Sequence, residues 1–183
     1  TCAKRLMNNT LTVLSVQIDR FTPEETQNAW SELLVNKETT SRIIVTVNPE
    51  FIMEAQKNRR FRDVINSAHM RLADGFGLAC ASVFLTGKKL VRITGVQSCW
   101  MLARLCKNHH KKMYLVGALP GVAERTSNVF KRAFPGIEVV AEEGVSRESS
   151  VVSSQYSVEN QKLVERIRLA KPDVLLVAFG APK

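Results

Sequence analysis

The chain has 183 residues, 45% apolar and 23% charged, which is the composition of a folded domain and excludes wholesale disorder. Its 26 Lys and Arg against 17 Asp and Glu leave a formal charge of +9, favouring a polyanionic partner: nucleic acid, an anionic membrane face or a phosphorylated small molecule. No run approaches the ~18 consecutive apolar residues of a membrane-crossing helix, and Thr1–Leu6, without Met or a long apolar stretch, predicts an internal or processed start and not a secretory signal.

Leu11–Ile18 predicts one strand ending at Asp19. Thr22-Pro23-Glu24-Glu25 supplies a helix start, with a capping hydroxyl, a proline in the first turn and acids over the positive helix end. That helix runs to about Val35. Arg42–Val47 is a β-branched run of the kind buried in parallel sheets. Asn48-Pro49 breaks it and opens a helix to about Gln56, followed by another over Phe61–Ser67. His69–Ala73 reads as a short strand, and Asp74-Gly75-Phe76-Gly77 as its exit turn into an apolar helix over Leu78–Leu85. Gly95–Lys107 is amphipathic helix, and Lys112–Val116 a buried strand terminated by Gly117. Pro120-Gly121 opens the helix Val122–Ala133, and Pro135-Gly136 turns the chain into the strand Ile137–Val140. Ser146–Ser157, serine-rich and aperiodic, predicts a flexible surface loop. Val158–Ala170 is helix and Val174–Phe179 a last buried strand. Strands separated by helices predict an α/β fold: an open, Rossmann-like, mostly parallel sheet with helices on both faces, in a single domain without repeat or linker.

Of the four cysteines, Cys2, Cys80, Cys99 and Cys106, no two form a CxxC pair. They are expected to be reduced, buried thiols of a cytosolic protein. Adjacent His109-His110 is a poor metal pair, and no HxxxH, HxH or DxD spacing occurs, so no metal site is expected.

In open α/β folds ligands lie beyond the carboxyl ends of the strands. That rule selects Thr46-Val47-Asn48, Asp74-Gly75-Phe76-Gly77, Gly117–Gly121 and Gly180–Lys183. Asp74 follows an apolar strand and precedes two open glycines, a placement suited to a general base or to a cap on the following helix, the commoner role of Asp-Gly. Thr46 and Asn48 can bind a sugar or cap the helix at Pro49. Gly75-Phe76-Gly77-Leu78-Ala79-Cys80 is one residue short of the dinucleotide fingerprint, and no Asp or Glu occurs between Gly75 and Ala123 to hold a ribose, which argues against NAD. The same stretch carries Lys88, Lys89, Arg92, Arg104, Lys107, Lys111 and Lys112. Arg92, between apolar neighbours, is placed to clamp a phosphate or carboxylate, or to serve structure alone. The Gly117–Gly121 loop suits backbone N–H groups aimed at a phosphate or ribose, but lacks the Lys-Ser/Thr ending of an NTPase loop.

Five blocks occur in order: Thr46-Val47-Asn48-Pro49-Glu50-Phe51-Ile52-Met53, Leu72-Ala73-Asp74-Gly75-Phe76-Gly77, Arg92-Ile93-Thr94-Gly95, Tyr114-Leu115-Val116-Gly117-Ala118 and Ala178-Phe179-Gly180-Ala181-Pro182-Lys183. Their order and spacing resemble the WecG/TagA/CpsF glycosyltransferase family over about residues 11–183. The resemblance implies an inverting, metal-independent transferase that needs no cofactor beyond its donor. It would move N-acetylmannosamine or a related hexose from a UDP-sugar to an undecaprenyl-diphosphate-linked sugar, for cell-surface polymers. It implies a cytoplasmic protein, peripheral at the inner membrane face, with an anionic membrane surface as partner, no nucleic acid, and self-association left open. Asp74 matches the general base and Thr46 its polar partner. Asn48 and Gly75 match substrate contacts. Gly117 and Ala118 fall on the nucleotide side, and Gly180 and Pro182 in the last block. Gln97 stands where the family usually has Asp; its amide can hold a sugar hydroxyl but cannot act as a base. Family chains continue past Lys183 into a basic, membrane-associating tail, so a truncated member that binds UDP-sugar without turnover is the alternative. A NAD or S-adenosylmethionine enzyme and a nucleic-acid-binding module are further ones, the latter weakened by an aromatic content of 7%.

Overall fold

Over Leu11–Ile18 the chain does not run straight but folds back on itself. In a computed structural model that describes residues 10–36, 40–87, 90–144 and 153–180, strands β1 (Thr10–Val13) and β2 (Val16–Asp19) form an antiparallel hairpin. Leu14 and Ser15 make its two-residue turn with φ of 46° and 66°, the left-handed geometry that matches strand twist. Neither residue is the Asn, Asp or Gly that customarily takes these left-handed positions. The signal lies in the apolar phase: Leu11 and Val13 alternate on one register, Val16 and Ile18 on the next, and the reversal puts all four in one core.

The chain divides into two units, Thr1–Ser98 with Ala181–Lys183, and Cys99–Gly180. In the first, helix α1 (Pro23–Val35) starts with the expected cap: Glu25 N–H donates to Thr22 Oγ1 at 3.1 Å and Thr22 N–H to Glu25 Oε2 at 2.9 Å. Strand β3 (Ile44–Val47) pairs in parallel with β4 (Met70–Ala73), joined through α2 (Pro49–Lys57) and α3 (Arg59–Ser67). A parallel bridge between Ala73 and Arg92 continues the pairing on the far side of β4. The hairpin is tied to β4 by Asp19, whose buried carboxylate accepts from Arg71 N–H at 2.8 Å, Arg71 Nη2 at 2.9 Å and Thr10 Oγ1 at 3.0 Å. A buried charge is tolerable when so fully partnered. Helix α4 (Phe76–Thr86) follows β4 directly, and its Leu78 joins the core with Val47, Ile52, Ile65 and Leu90.

Helix α5 (Gly95–Asn108) begins in the first unit and ends in the second. There β5 (Lys112–Gly117) is the centre of a parallel sheet between β6 (Glu138–Glu142) and β7 (Val174–Ala178). Helix α6 (Val122–Ala133) places Phe130 5.3 Å, centroid to centroid, from Trp100, edge to face. Helix α7 (Ser153–Ala170) packs Leu163 and Ile167 on Tyr114 and Val116. Its start corrects the loop expected over Ser146–Ser157: residues from Ser153 onward are helical, and 146–152 lie outside the described residues. Polar composition marks a solvated helix face as readily as a loop.

The fold class is as expected, α/β with mostly parallel strands, the parallel pairing falling into one two-stranded and one three-stranded sheet among the described residues. The expected burial of the thiols needs correction at Cys80, which is exposed on α4; Cys99 is half-buried, Cys106 buried, and Cys2 lies outside the described residues. Among the described residues no helix is long and apolar enough to cross a membrane.

Candidate active site

Two of the strand exits named by the sequence, with the Arg92–Gly95 block, come together in the first unit. Parallel pairing of Val47 with Ala73, and of Ala73 with Arg92, brings Thr46–Asn48, Asp74–Gly75 and Arg92–Gly95 to one sheet end. Asp74 N–H donates to Val47 O at 2.7 Å and Ile93 N–H to Ala73 O at 2.9 Å, stitching the ends together.

Asp74 does not cap the helix that follows it. That helix starts at Gly75, with φ of +120° and no side-chain cap. Its Oδ2 instead accepts the Gly95 N–H, twenty-one residues on, at 2.9 Å, the first amide of α5. One oxygen of a half-buried carboxylate is thus held by a backbone donor at a helix N-terminus. A Cβ built on Gly95 would stand 3.6 Å from both Asp74 Oδ2 and Thr46 Oγ1. The carboxylate and the hydroxyl therefore face one point, left clear because residue 95 has no side chain. Gly95 is a site residue that strand-exit reasoning did not single out; its position at the start of an amphipathic helix was the available signal.

Asn48, Gln97 and Gly75 have structural tasks in this unit. Asn48 Oδ1 accepts from Phe51 N–H at 2.8 Å and caps α2. Gln97, expected to hold a sugar hydroxyl, closes a capping box at α5: its Oε1 accepts from Thr94 N–H at 2.9 Å and its own N–H donates to Thr94 Oγ1 at 3.1 Å. Gly75 lies against Pro49, whose Cδ would be 3.1 Å from an added Cβ. Arg92 is exposed beside Ala73 at the sheet edge.

In the second unit Gly117 and the end of β7 meet. Ala118 N–H donates to Ala178 O at 2.8 Å, and a Cβ on Gly117 (φ +101°) would lie 2.9 Å from the Ala178 carbonyl atoms. Gly180 follows with φ of +76°; Pro182 lies outside the described residues. The strand exit of β6, absent from the sequence-based selection, completes this group. Gly144 packs against Gly117 and Phe179, and Glu143 Oε1 accepts the Gly121 N–H at 3.0 Å. The N-terminus of α6, expected to present N–H groups to a phosphate, thus already carries a carboxylate. Glu142 is bound by the Tyr114 hydroxyl and by the Arg166 guanidinium. Burial, then the hydrogen bond to Glu142, pushes the Tyr114 phenol up to about 12.

A parallel α/β frame whose polar and glycine residues gather at the strand carboxyl ends defines a protein of the ligand-binding α/β class. The particular kind follows from comparison: residues 11–183 match the family described as glycosyl transferase WecG/TagA/CpsF, and the chain belongs to that family. It is similar to proteins named N-acetylglucosaminyldiphosphoundecaprenol N-acetyl-beta-D-mannosaminyltransferase from Staphylococcus aureus strains NCTC 8325 and COL, 28% identical to each over 171 residues. That alignment covers 93% of this chain and 63% of each relative, so the chain spans less than two thirds of their length.

Proposed function

We propose that this protein transfers N-acetylmannosamine, or a closely related hexose, from a UDP-sugar to a saccharide on an undecaprenyl diphosphate, at the inner face of the cytoplasmic membrane. The observation that carries the reading is the convergence of Asp74 and Thr46 on the open point at Gly95 in a chain of this family.

Asp74 takes the proton of the acceptor hydroxyl while that oxygen attacks the anomeric carbon. The new C–O bond forms as the bond to the diphosphate breaks, and UDP departs with the electron pair. Thr46 orients the sugar by hydrogen bonding, and Arg92 draws off the charge of the departing diphosphate. A β-linked product, as in the relatives' name, formed from an α-linked UDP-sugar is inversion, the outcome of one displacement with one base. No metal is assigned to the step.

The test supplies the full chain with UDP-N-acetylmannosamine and N-acetylglucosaminyl-diphosphoundecaprenol, with and without a chelator, and follows the lipid product by mass spectrometry. The expected result is a gain of one N-acetylhexosamine, β-linked by NMR, that survives chelation. Binding of the UDP-sugar without transfer would replace this reading with that of a non-catalytic member; no binding at all would overturn it.

A further inference from the structure

Helix α4 leaves Asp74 by one residue and carries no charged side chain over Phe76–Thr86. One side is anchored: Leu78 and Ala79 are buried, and the Ser82 hydroxyl, also buried, donates to Ala79 O at 2.7 Å and accepts from Leu90 N–H at 3.1 Å. The other side carries Phe76 (75% exposed), Cys80, Val83 and Phe84 (94% exposed). Positions 76, 80, 83 and 84 fall at i, i+4, i+7 and i+8, a single stripe on a helix. An uninterrupted apolar stripe along a whole surface helix marks an interaction surface.

Charge identifies the occupant. No acid occurs from Gly75 to Ala123, while Lys88, Lys89 and Arg92 follow the helix closely. An apolar stripe in a stretch of chain that is basic and free of acids suits the interface of an anionic bilayer. With 11 residues α4 extends about 16 Å, too short to cross a hydrocarbon core of about 30 Å but suited to lie within its boundary.

We propose that the outer stripe of α4 (Phe76, Cys80, Val83, Phe84) seats the protein on an anionic bilayer, lying flat in the interface so that Asp74, at its N-terminal end, meets the head-group level. The inference rests on the reading of the acceptor as a polyprenyl diphosphate, whose reacting sugar lies at that depth.

The experiment uses the full chain with equimolar phosphatidylglycerol–phosphatidylcholine vesicles. Flotation measures partition of wild type and Phe84→Glu, and maleimide labelling reports access to Cys80. The seat predicts that vesicles slow Cys80 labelling several-fold and that Phe84→Glu weakens partition at least about tenfold. Binding of the UDP-sugar, read by saturation-transfer NMR, is expected to be unchanged in the variant. Equal partition of the two proteins with Cys80 fully open to label overturns the proposal. So does a lipid-free dimer that shields Cys80 and is dissociated by Phe84→Glu, which would make the stripe a contact between copies. Phe84-dependent vesicle binding in a protein that ignores UDP-sugars would instead overturn the transferase reading and leave the seat intact.

Discussion

Replacing Asp74 by Asn and by Ala separates the two tasks of this side chain. Its Oδ2 accepts the first amide of α5 at 2.9 Å. An Asn carbonyl oxygen can accept the same bond, whereas Ala leaves the Gly95 N–H to water or to nothing. Loss of such a cap costs about 1 kcal/mol. For a chain of this length that lowers Tm by about 2–4 °C. Removing a general base slows the reaction about 10²–10⁴-fold. Asp74→Asn is therefore expected to melt within about a degree of wild type and to lose transfer by about a hundredfold or more. Asp74→Ala is expected to lose as much activity and to melt at the lower temperature as well. Circular dichroism melts and initial rates of lipid-product formation read the two effects separately. Wild-type rates in Asp74→Asn would remove Asp74 as the base, and equal melting losses in both variants would show that the Gly95 bond is not what stabilises α5.

Gly95→Ala places a methyl in ordinary contact, 3.6 Å from both Thr46 Oγ1 and Asp74 Oδ2. Its Tm is expected to hold or rise slightly, while kcat/KM falls; unchanged kinetics would mean that the reacting groups do not use that space. Gly117→Ala meets the Ala178 carbonyl at 2.9 Å with φ of +101°, so denaturant unfolding is expected to show a loss of at least about 2 kcal/mol. The double change Leu14→Asn with Ser15→Gly suits both left-handed positions of the hairpin, at 46° and 66°, and is expected to stabilise by about 1 kcal/mol in the same assay. Burial raises the Cys106 thiol from 9.0 and the Tyr114 phenol from 10.0, each to about 12. Unfolded chains shed these protons first as pH rises, so stability present below pH 9 declines between 9 and 12. Urea titrations across that range should show the decline, flattened above pH 10 in Tyr114→Phe; an unaltered slope would mean that the phenol makes no such contribution.

Helix starts were the most legible features because a cap is a local device. Thr22 with Glu25, and Asn48 before Pro49, bind amides three residues away, and a three-residue spacing is visible in a linear string. The strands were legible through their β-branched runs, but the burial expected of Val174–Phe179 was not: Leu175, Val177 and Phe179 are exposed. The hairpin was not, since Leu14 and Ser15 are not the Asn, Asp or Gly of such turns and only the slip in apolar phase betrays the reversal. Serine-rich composition misled at Ser153, where a polar helix and a loop look alike in a linear string.

The candidate site divides along the same line. Asp74 and Thr46 could be read as strand-exit residues from the sequence alone, since strand ends and the fold class imply where ligands lie. That Asp74 serves α5 and not α4, that Gly95 opens the space between the two oxygens, and that Glu143 occupies the α6 terminus depend on partners 21, 49 and 22 residues apart. Such pairs are set by parallel strand register, which no local propensity encodes. The sequence by itself determined the caps, the apolar faces, the basic charge and the class of fold. Tertiary structure alone decided which oxygen faces which amide, because β-pairing brings together chain segments whose side chains carry no mutual signal until the backbone is assembled.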